Sequence, residues 1–136
     1  MVESIGPALM RGVGNFPGIL IIALIILIID LPYLYVIHPY YRQILPAMRL
    51  SVIPALVTYI LLATGIYYFI LDSEVPLRSA ALLGLIVYGV YDMANMATIS
   101  TWTLPLSLVD MAWGATLLSI TTWIWMKYGT KLYRFQ

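Results

Sequence analysis

Long uncharged stretches separated by charged residues are the main pattern along this chain. Residues 50–71 form the clearest stretch, with 22 uncharged residues between Arg49 and Asp72. Residues 18–37 form a second stretch, which only Asp30 interrupts. A helix needs about 20 mostly apolar residues to cross the hydrocarbon core of a bilayer, so each stretch predicts one membrane-spanning helix.

A third uncharged stretch is too long to be a single helix. Between Arg78 and Lys127 lie 48 residues that contain only two charges, both of them aspartates. As one helix they would measure about 72 Å, more than twice the hydrocarbon thickness of about 30 Å. Ser, Thr and Trp side chains cluster at residues 100–103, and Pro105 suits the first turn of a helix. We therefore place a turn there and predict two spans.

Four spans with short connections predict an all-α membrane protein that forms one domain, residues 1–136. The predicted spans are residues 18–37, 50–71, 77–99 and 103–126. Helices joined by short loops pack as antiparallel neighbours, so we expect an up-down-up-down four-helix bundle. The end that holds both termini has more cationic residues, namely Arg11, Arg78, Lys127, Lys131 and Arg134 against Arg42 and Arg49. The positive-inside bias then predicts both termini in the cytoplasm, or in the matrix if the membrane is the mitochondrial inner membrane.

The composition agrees with this assignment and excludes several classes of protein. Hydrophobic residues make up 62% of the chain and charged residues 10%, against about 45–50% and about 25% in soluble domains. The formal net charge of +1 is too small for a surface that binds a nucleic-acid backbone. We expect the lipid bilayer and other membrane-protein subunits as partners, and no nucleic acid. The chain has no cysteine, which excludes disulfides and thiolate metal sites.

Three aspartates inside predicted spans are the first candidates for a functional site. Asp30, Asp92 and Asp110 each lie seven residues from the same end of the bundle, about 10 Å below one membrane face. A carboxylate near a helix centre costs at least about 2.5 kcal/mol if it faces lipid. We therefore expect all three to face the bundle interior in one layer.

Helical spacing predicts which side chains accompany these aspartates. At about 100° per residue, small and polar residues form one stripe on each of the last three spans. The second span has Pro54, Thr58, Gly65 and Tyr68, the third has Gly84, Tyr88, Tyr91, Asn95 and Thr98 with Asp92 at the edge, and the fourth has Thr103, Ser107, Asp110, Gly114 and Thr121. Tyrosines near helix ends, such as Tyr33 and Tyr41, are typical of interfacial anchors. Pro32 predicts a disturbed first helix beside Asp30.

The acidic layer has two interpretations. In one, the carboxyl groups bond to neighbouring side chains or backbone and fix how the helices pack. In the other, they form a proton or cation site, or a pocket for a polar ligand that Asn95, Tyr88 and Tyr91 help to position. Arg42 and Arg49 could contact an anionic ligand or lipid headgroups, or lie in solvent. No metal-ligand spacing or cofactor motif is present, so we expect no metal and no cofactor.

Two strings in the second half of the chain resemble a known family. YDMANMATISTW at residues 91–102 and LSLVDMAWGA at residues 106–115 are similar to the C-terminal half of small predicted membrane proteins called domain of unknown function 2177. The matching positions are Tyr91, Asp92, Asn95, Ala97, Thr98, Trp102, Asp110, Trp113 and Gly114, and Asp30, Tyr40, Tyr41 and Arg42 are also family-like. Met93 and Ala94 differ from the usual Leu and Thr, and Tyr33 from a common Trp. The resemblance implies a four-helix membrane protein and no particular reaction.

Two functions fit these features. The first is a non-enzymatic structural or accessory subunit of a larger membrane complex, with residues 1–17 and 127–136 as docking segments. The second is a small transporter or channel-like carrier of protons, a cation or a small polar molecule, with the three aspartates as its site. The second predicts a polar cavity that opens to the non-cytoplasmic face. The known catalytic motifs are absent, so we expect no enzyme, and a membrane enzyme with carboxylates as acid and base is a third alternative.

Overall fold

The part of the chain that the structure describes consists of four long helices. The structure is a computed structural model, and it describes residues 16–129. Helix α1 is Phe16–Ile44, α2 is Val52–Phe69, α3 is Pro76–Thr98 and α4 is Leu104–Ile124, which continues into a π-helical turn at Trp125–Gly129. All four helices are long and apolar enough to cross a membrane, which confirms the predicted number of spans. Most of the two predicted docking segments lies outside the described residues.

Helix α1 is longer than the predicted first span. It continues past residue 37 to Ile44 and contains both Pro32 and Pro39. The disturbance expected at Pro32 does not end the helix. Membrane helices tolerate proline where neighbouring groups satisfy the backbone carbonyl that has lost its partner. Because α1 continues, Tyr41 lies on the same helix side as Tyr33, eight residues away.

The connection between α3 and α4 lies where the cluster of Ser, Thr and Trp predicted it. Helix α3 ends at Thr98, and Thr103 precedes the first residue of α4. Pro105 occupies the first turn of α4, where a proline costs no backbone hydrogen bond. Trp102, in the turn itself, is buried rather than exposed at the membrane surface.

Helices α3 and α4 form the most extensive helix contact in the described residues. Ser119 Oγ donates to the Leu77 carbonyl at 3.3 Å near the start of α3, and Gly84 faces Gly114 further along. Residue numbers rise along α3 as they fall along α4, so this pair runs in opposite directions. The up-down-up-down order of all four helices stays a prediction.

Two glycines allow the backbones of α3 and α4 to approach closely. A Cβ atom added at Gly84 would overlap the Gly114 backbone, and one added at Gly114 would overlap the ring of Tyr88. Without a side chain at either position, the helices gain close van der Waals contact, which is a main source of helix association in lipid.

Buried apolar side chains form two clusters, and the aspartates lie between them along the helices. The larger cluster contains Ile19, Ile22, Ala23, Ile26, Leu62, Ala63, Ile66, Ile70, Ala80, Leu117, Leu118 and Trp125. The smaller cluster contains Ile37, Trp102 and Leu106. Along α1 and α4, the chain passes from one cluster through an aspartate to the other, and α3 leads from the larger cluster past Asp92 to the turn that holds Trp102. All three aspartates are buried, as the cost of facing lipid predicted.

The predicted inward face of α2 is wrong. Pro54, Thr58 and Tyr68 are exposed, and the buried residues of α2 are instead Leu62, Ala63 and Ile66. The reason is that lipid is as apolar as the protein core, so hydrophobicity alone does not distinguish the two faces of such a helix.

The stripe on α4 is largely confirmed, whereas that on α3 is shifted. Ser107, Asp110, Gly114 and Thr121 of α4 are buried, and only Thr103 is exposed. On α3 the buried residues are Ala80, Gly84, Gly89 and Asp92. The small residues define the contact with α4, so Asp92 lies within the buried face and not at its edge.

We predict that Gly84→Ala destabilises the protein and that Gly65→Ala does not. The new Cβ of Gly84→Ala would overlap backbone atoms of α4, and overpacking of this kind costs about 1–3 kcal/mol. At Gly65 a Cβ would meet only Leu83 Cδ2 at 3.4 Å, and alanine is favoured in a helix by about 0.5–1 kcal/mol. Thermal unfolding midpoints in one detergent compare the two variants, and equal midpoints would contradict the close approach.

Candidate functional site

Asp30 of α1 and Asp110 of α4 exchange hydrogen-bond donors. The Tyr33 hydroxyl donates to Asp110 Oδ1, and the Trp113 indole N–H donates to Asp30 Oδ1 at 2.7 Å. Each aromatic residue lies three positions after one aspartate, on the same helix side, and donates to the other aspartate. The two rings stack with their centroids 4.6 Å apart and their planes at 10°. This exchange links α1 to α4.

Each of these two aspartates has a second donor. The Tyr59 hydroxyl of α2 donates to Asp30 Oδ2 at 2.8 Å, and the Tyr41 hydroxyl donates to Asp110 Oδ2. All four carboxylate oxygens therefore accept one hydrogen bond from a neutral donor. An ionised carboxylate has about four acceptor positions, so about half of its capacity is still unused.

Asp92 of α3 is buried without comparable donors. Its side chain is 0% exposed, and neither carboxyl oxygen has a hydrogen-bond partner among the described residues. The indole N–H of Trp102 lies near the Asp92 carboxyl group, but it donates its hydrogen bond to Ser107 Oγ at 3.0 Å. A buried polar group without a partner lowers the stability of the folded protein, so Asp92 is a destabilising residue, whereas the other two aspartates have hydrogen-bond donors.

The structure brings the three predicted aspartates together around two tyrosines. Tyr88 of α3 interacts electrostatically with Asp30 and Asp92, and Tyr33 of α1 interacts with Asp110 and Asp92. Hydrogen bonds and ring stacking join Asp30 and Asp110 into one network. Asp92 is linked to this network by longer-range electrostatic interactions with Tyr33 and Tyr88.

A cleft of about 1390 Å³ opens beside Asp30 and Asp110. Its walls are formed by the second half of α1, the connection between α1 and α2, and the middle of α3. Asp110 is the residue of α4 that lines it. Most wall residues are apolar or aromatic. They are Ile28, Leu31, Pro32, Tyr33, Leu34, Tyr35, Val36, Ile37, Pro39, Tyr41, Leu45, Met48, Leu50, Tyr88 and Tyr91, and the charged or titratable residues are Asp30, Asp110, His38 and Arg49.

The other predicted site residues divide into two groups. Tyr88, Tyr91 and Arg49 line the cleft. Tyr91 is 56% exposed, and its ring makes an edge-to-face contact with that of Trp102, with the centroids 5.9 Å apart. Asn95 and Arg42 are not among the lining residues. Asn95 lies on the same side of α3 as Tyr91 but one turn nearer the end of the helix.

The chemistry of this arrangement is that of a receptor for hydrogen-bond donors or positive charge. Among residues 16–129 no group of three His, Asp or Glu side chains could hold a metal ion. Two carboxylates with unused acceptor positions at the wall of an apolar cleft favour a ligand that brings protons or a positive charge.

Sequence reasoning missed the four residues that hold the carboxylates. Tyr33 and Tyr41 were predicted as interfacial anchors, and Tyr59 and Trp113 were given no bond to an aspartate. The signal for two of them was present, because Asp30 and Asp110 are each followed three residues later by an aromatic residue with a donor. Which aspartate each one reaches depends on how the helices pack, which spacing along one helix does not contain.

The comparison with protein families agrees with the resemblance noted in the sequence. The family described as "Predicted membrane protein (DUF2177)" matches residues 16–126. The chain therefore belongs to this family, and the matched range contains all three aspartates and their donors. No curated protein and no solved structure matches the chain.

We predict that Asp110→Leu and Asp92→Leu have different effects on stability. Leucine keeps the branching of aspartate without its oxygens. At Asp110 it leaves the part-buried hydroxyls of Tyr33 and Tyr41 without their acceptor, and a fully buried donor without a partner costs about 1–3 kcal/mol. At Asp92 it removes a buried carboxyl that has no partner, so stability is kept or increased.

Unfolding midpoints of the two variants in the same detergent test this difference. Asp110→Leu should unfold at a lower temperature than the unmodified protein, and Asp92→Leu at the same temperature or higher. An equal loss in both variants would mean that Asp92 has stabilising partners, contrary to the structure.

Proposed function

We propose that this member of the predicted membrane protein family DUF2177 is a non-enzymatic carrier that binds a small cation or polar molecule at Asp30 and Asp110. The observation that carries the proposal is that both carboxylates line one cleft of about 1390 Å³. Ionisable groups inside a membrane commonly mark the path of an ion or a polar substrate. Of the two functions considered from sequence, this one makes use of the cleft.

The hydrogen bonds to the carboxylates support a binding role in addition to a structural one. They fix how the helices pack, because three of the four bonds join α1 to α4 and the fourth joins α2 to α1. They also leave acceptor positions on all four oxygens, and the donors, three tyrosine hydroxyls and one indole N–H, carry no positive charge. The same bonds therefore hold the carboxylates in place for a ligand, as a binding site requires.

The distribution of apolar residues supports a carrier rather than an open channel. The cleft lies on the side of Ile37, His38 and Arg49. On the other side of the acidic layer, the larger apolar cluster fills the space among the helices of the described chain. A ligand would reach the aspartates from one membrane face, predicted to be the non-cytoplasmic one, and would need a conformational change to pass further.

Cysteine labelling tests the cleft directly, because the natural chain has no cysteine. Leu34 lines the cleft, whereas Leu24 is 55% exposed and does not line it. A methanethiosulfonate reagent reacts with thiols that water can reach, so it should label Leu34→Cys in detergent and leave Leu24→Cys, which faces lipid, largely unlabelled. Glu74→Cys, in the exposed connection between α2 and α3, is the control for full labelling.

The charge of the reagent tests the site. Relative to a free thiol, a trimethylammonium reagent should label Leu34→Cys about tenfold faster than a sulfonate reagent, since an acidic cleft concentrates cations. Asp110→Asn in the same background should reduce this preference, and Asp30→Asn provides a second variant. No labelling of Leu34→Cys, or no charge preference at this position, would contradict the proposal.

The accessory-subunit hypothesis stays a prediction with a separate test. If the protein is a subunit, purification from its native membrane in mild detergent yields a large particle of constant composition. The carrier proposal predicts instead a particle of this chain alone, as a monomer or small homomer. Particle mass, with identification of the chains that it contains, decides between these outcomes.

A further inference from the structure

We propose that the ligand of the cleft is an organic ammonium ion with an apolar body, and not an inorganic cation. This inference rests on the proposed function, because it names the class of molecule that the same cleft accepts. Three features of the cleft carry it: its size, the nature of its walls, and the location of its charges.

The size of the cleft excludes a tight cage for a bare ion. Its volume of about 1390 Å³ exceeds the range of about 300–1,000 Å³ that is usual for sites of drug-sized molecules. A hard cation such as Ca²⁺ requires about six to eight oxygen ligands at short distance, and no group of three His, Asp or Glu side chains among residues 16–129 could hold a metal. The space is suited to a molecule of many atoms.

The walls supply apolar and aromatic contacts. Leu31, Leu34 and Val36 line the cleft from α1, and all three are at least 40% exposed. Tyr88 and Tyr91 add aromatic rings from α3. Ring faces attract ammonium groups, and apolar side chains that continue to the membrane would contact the remainder of an amphiphilic molecule.

The carboxylates give the ammonium group its location. Each oxygen of Asp30 and Asp110 accepts one bond from an uncharged tyrosine or tryptophan. These donors bring no positive charge, so the carboxyl groups attract a cationic group of a ligand whether or not it has N–H donors. Arg49 lines the same cleft from the connection between α1 and α2 and is exposed. A ligand with its ammonium at the aspartates and its apolar body along α1 places the positive charge at the acidic end of the cleft.

Protection of Leu34→Cys from a neutral thiol reagent tests this assignment. Benzyltrimethylammonium, which combines an ammonium group with an apolar ring, should slow labelling about tenfold at ten times its Kd, by mass action. Potassium chloride at the same ionic strength and the neutral molecule 2-phenylethanol should give little protection. Asp110→Asn should weaken the protection by benzyltrimethylammonium about tenfold.

Arg49→Gln and Arg78→Gln form a matched pair of controls. Removal of the positive charge at Arg49, which lines the cleft, should tighten binding of benzyltrimethylammonium about twofold. Arg78 lies at the start of α3, outside the lining residues, so Arg78→Gln should leave binding unchanged.

The outcomes distinguish failure of this inference from failure of the proposed function. Equal protection by potassium chloride would assign an inorganic cation, and equal protection by 2-phenylethanol would assign a purely apolar ligand. Either result overturns the organic-ammonium assignment while the cleft remains a binding site. If Leu34→Cys is not labelled at all in the absence of ligand, the proposed function fails with it.

Discussion

The exchange of donors between Asp30 and Asp110 is the interaction on which the arrangement of the described helices depends. A carboxylate at the depth of the hydrocarbon core is costly without hydrogen-bond donors, and here the protein supplies them. Here Tyr33 of α1 donates to Asp110 of α4, and Trp113 of α4 donates to Asp30 of α1. The rings of Tyr33 and Trp113 stack on each other. A rotation of either helix by one residue, about 100°, would break both bonds at once. Helices α1 and α4 share a much smaller contact than α3 and α4, so these directed bonds supply the specificity that packing alone does not supply there.

The same interaction explains why the cleft is at this depth and has this polarity. The aspartates divide the buried apolar residues into two clusters, one on each side of the acidic layer. The larger cluster closes the space among the helices on its side. On the other side, α1 continues past Pro39 to Ile44 and forms a wall of the cleft together with the connection that follows it. A polar wall next to an apolar cleft therefore results from the need to satisfy two carboxylates inside the membrane.

Some of this structure could be predicted from the sequence, and the remainder could not, for a physical reason. The number of spans follows from the positions of Arg49, Asp72, Arg78 and Lys127, because charge is costly in lipid wherever the helices pack. The burial of the three aspartates follows from the same cost. The inward face of α2 could not be predicted, because Leu62 and Leu61 are equally apolar and only one of them is buried. The roles of Tyr33 and Tyr41 were missed because a tyrosine near a helix end fits an interfacial anchor as well as a donor to a buried carboxylate.

Asp92 completes the argument, because it lies in the same layer as the other aspartates and yet lacks their partners. Helix α3 approaches α4 through Gly84 and Gly114 so closely that an added Cβ would overlap the opposite backbone. The one nearby indole N–H, that of Trp102, is used by Ser107. The close contact of α3 with α4 provides the dispersion energy that offsets an unpartnered carboxyl. Where the contact is small, between α1 and α4, the carboxylates have two donors each. The α3–α4 interface is thus held by close packing and the α1–α4 interface by hydrogen bonds. Only at the α1–α4 interface do the carboxyl groups lie beside the cleft.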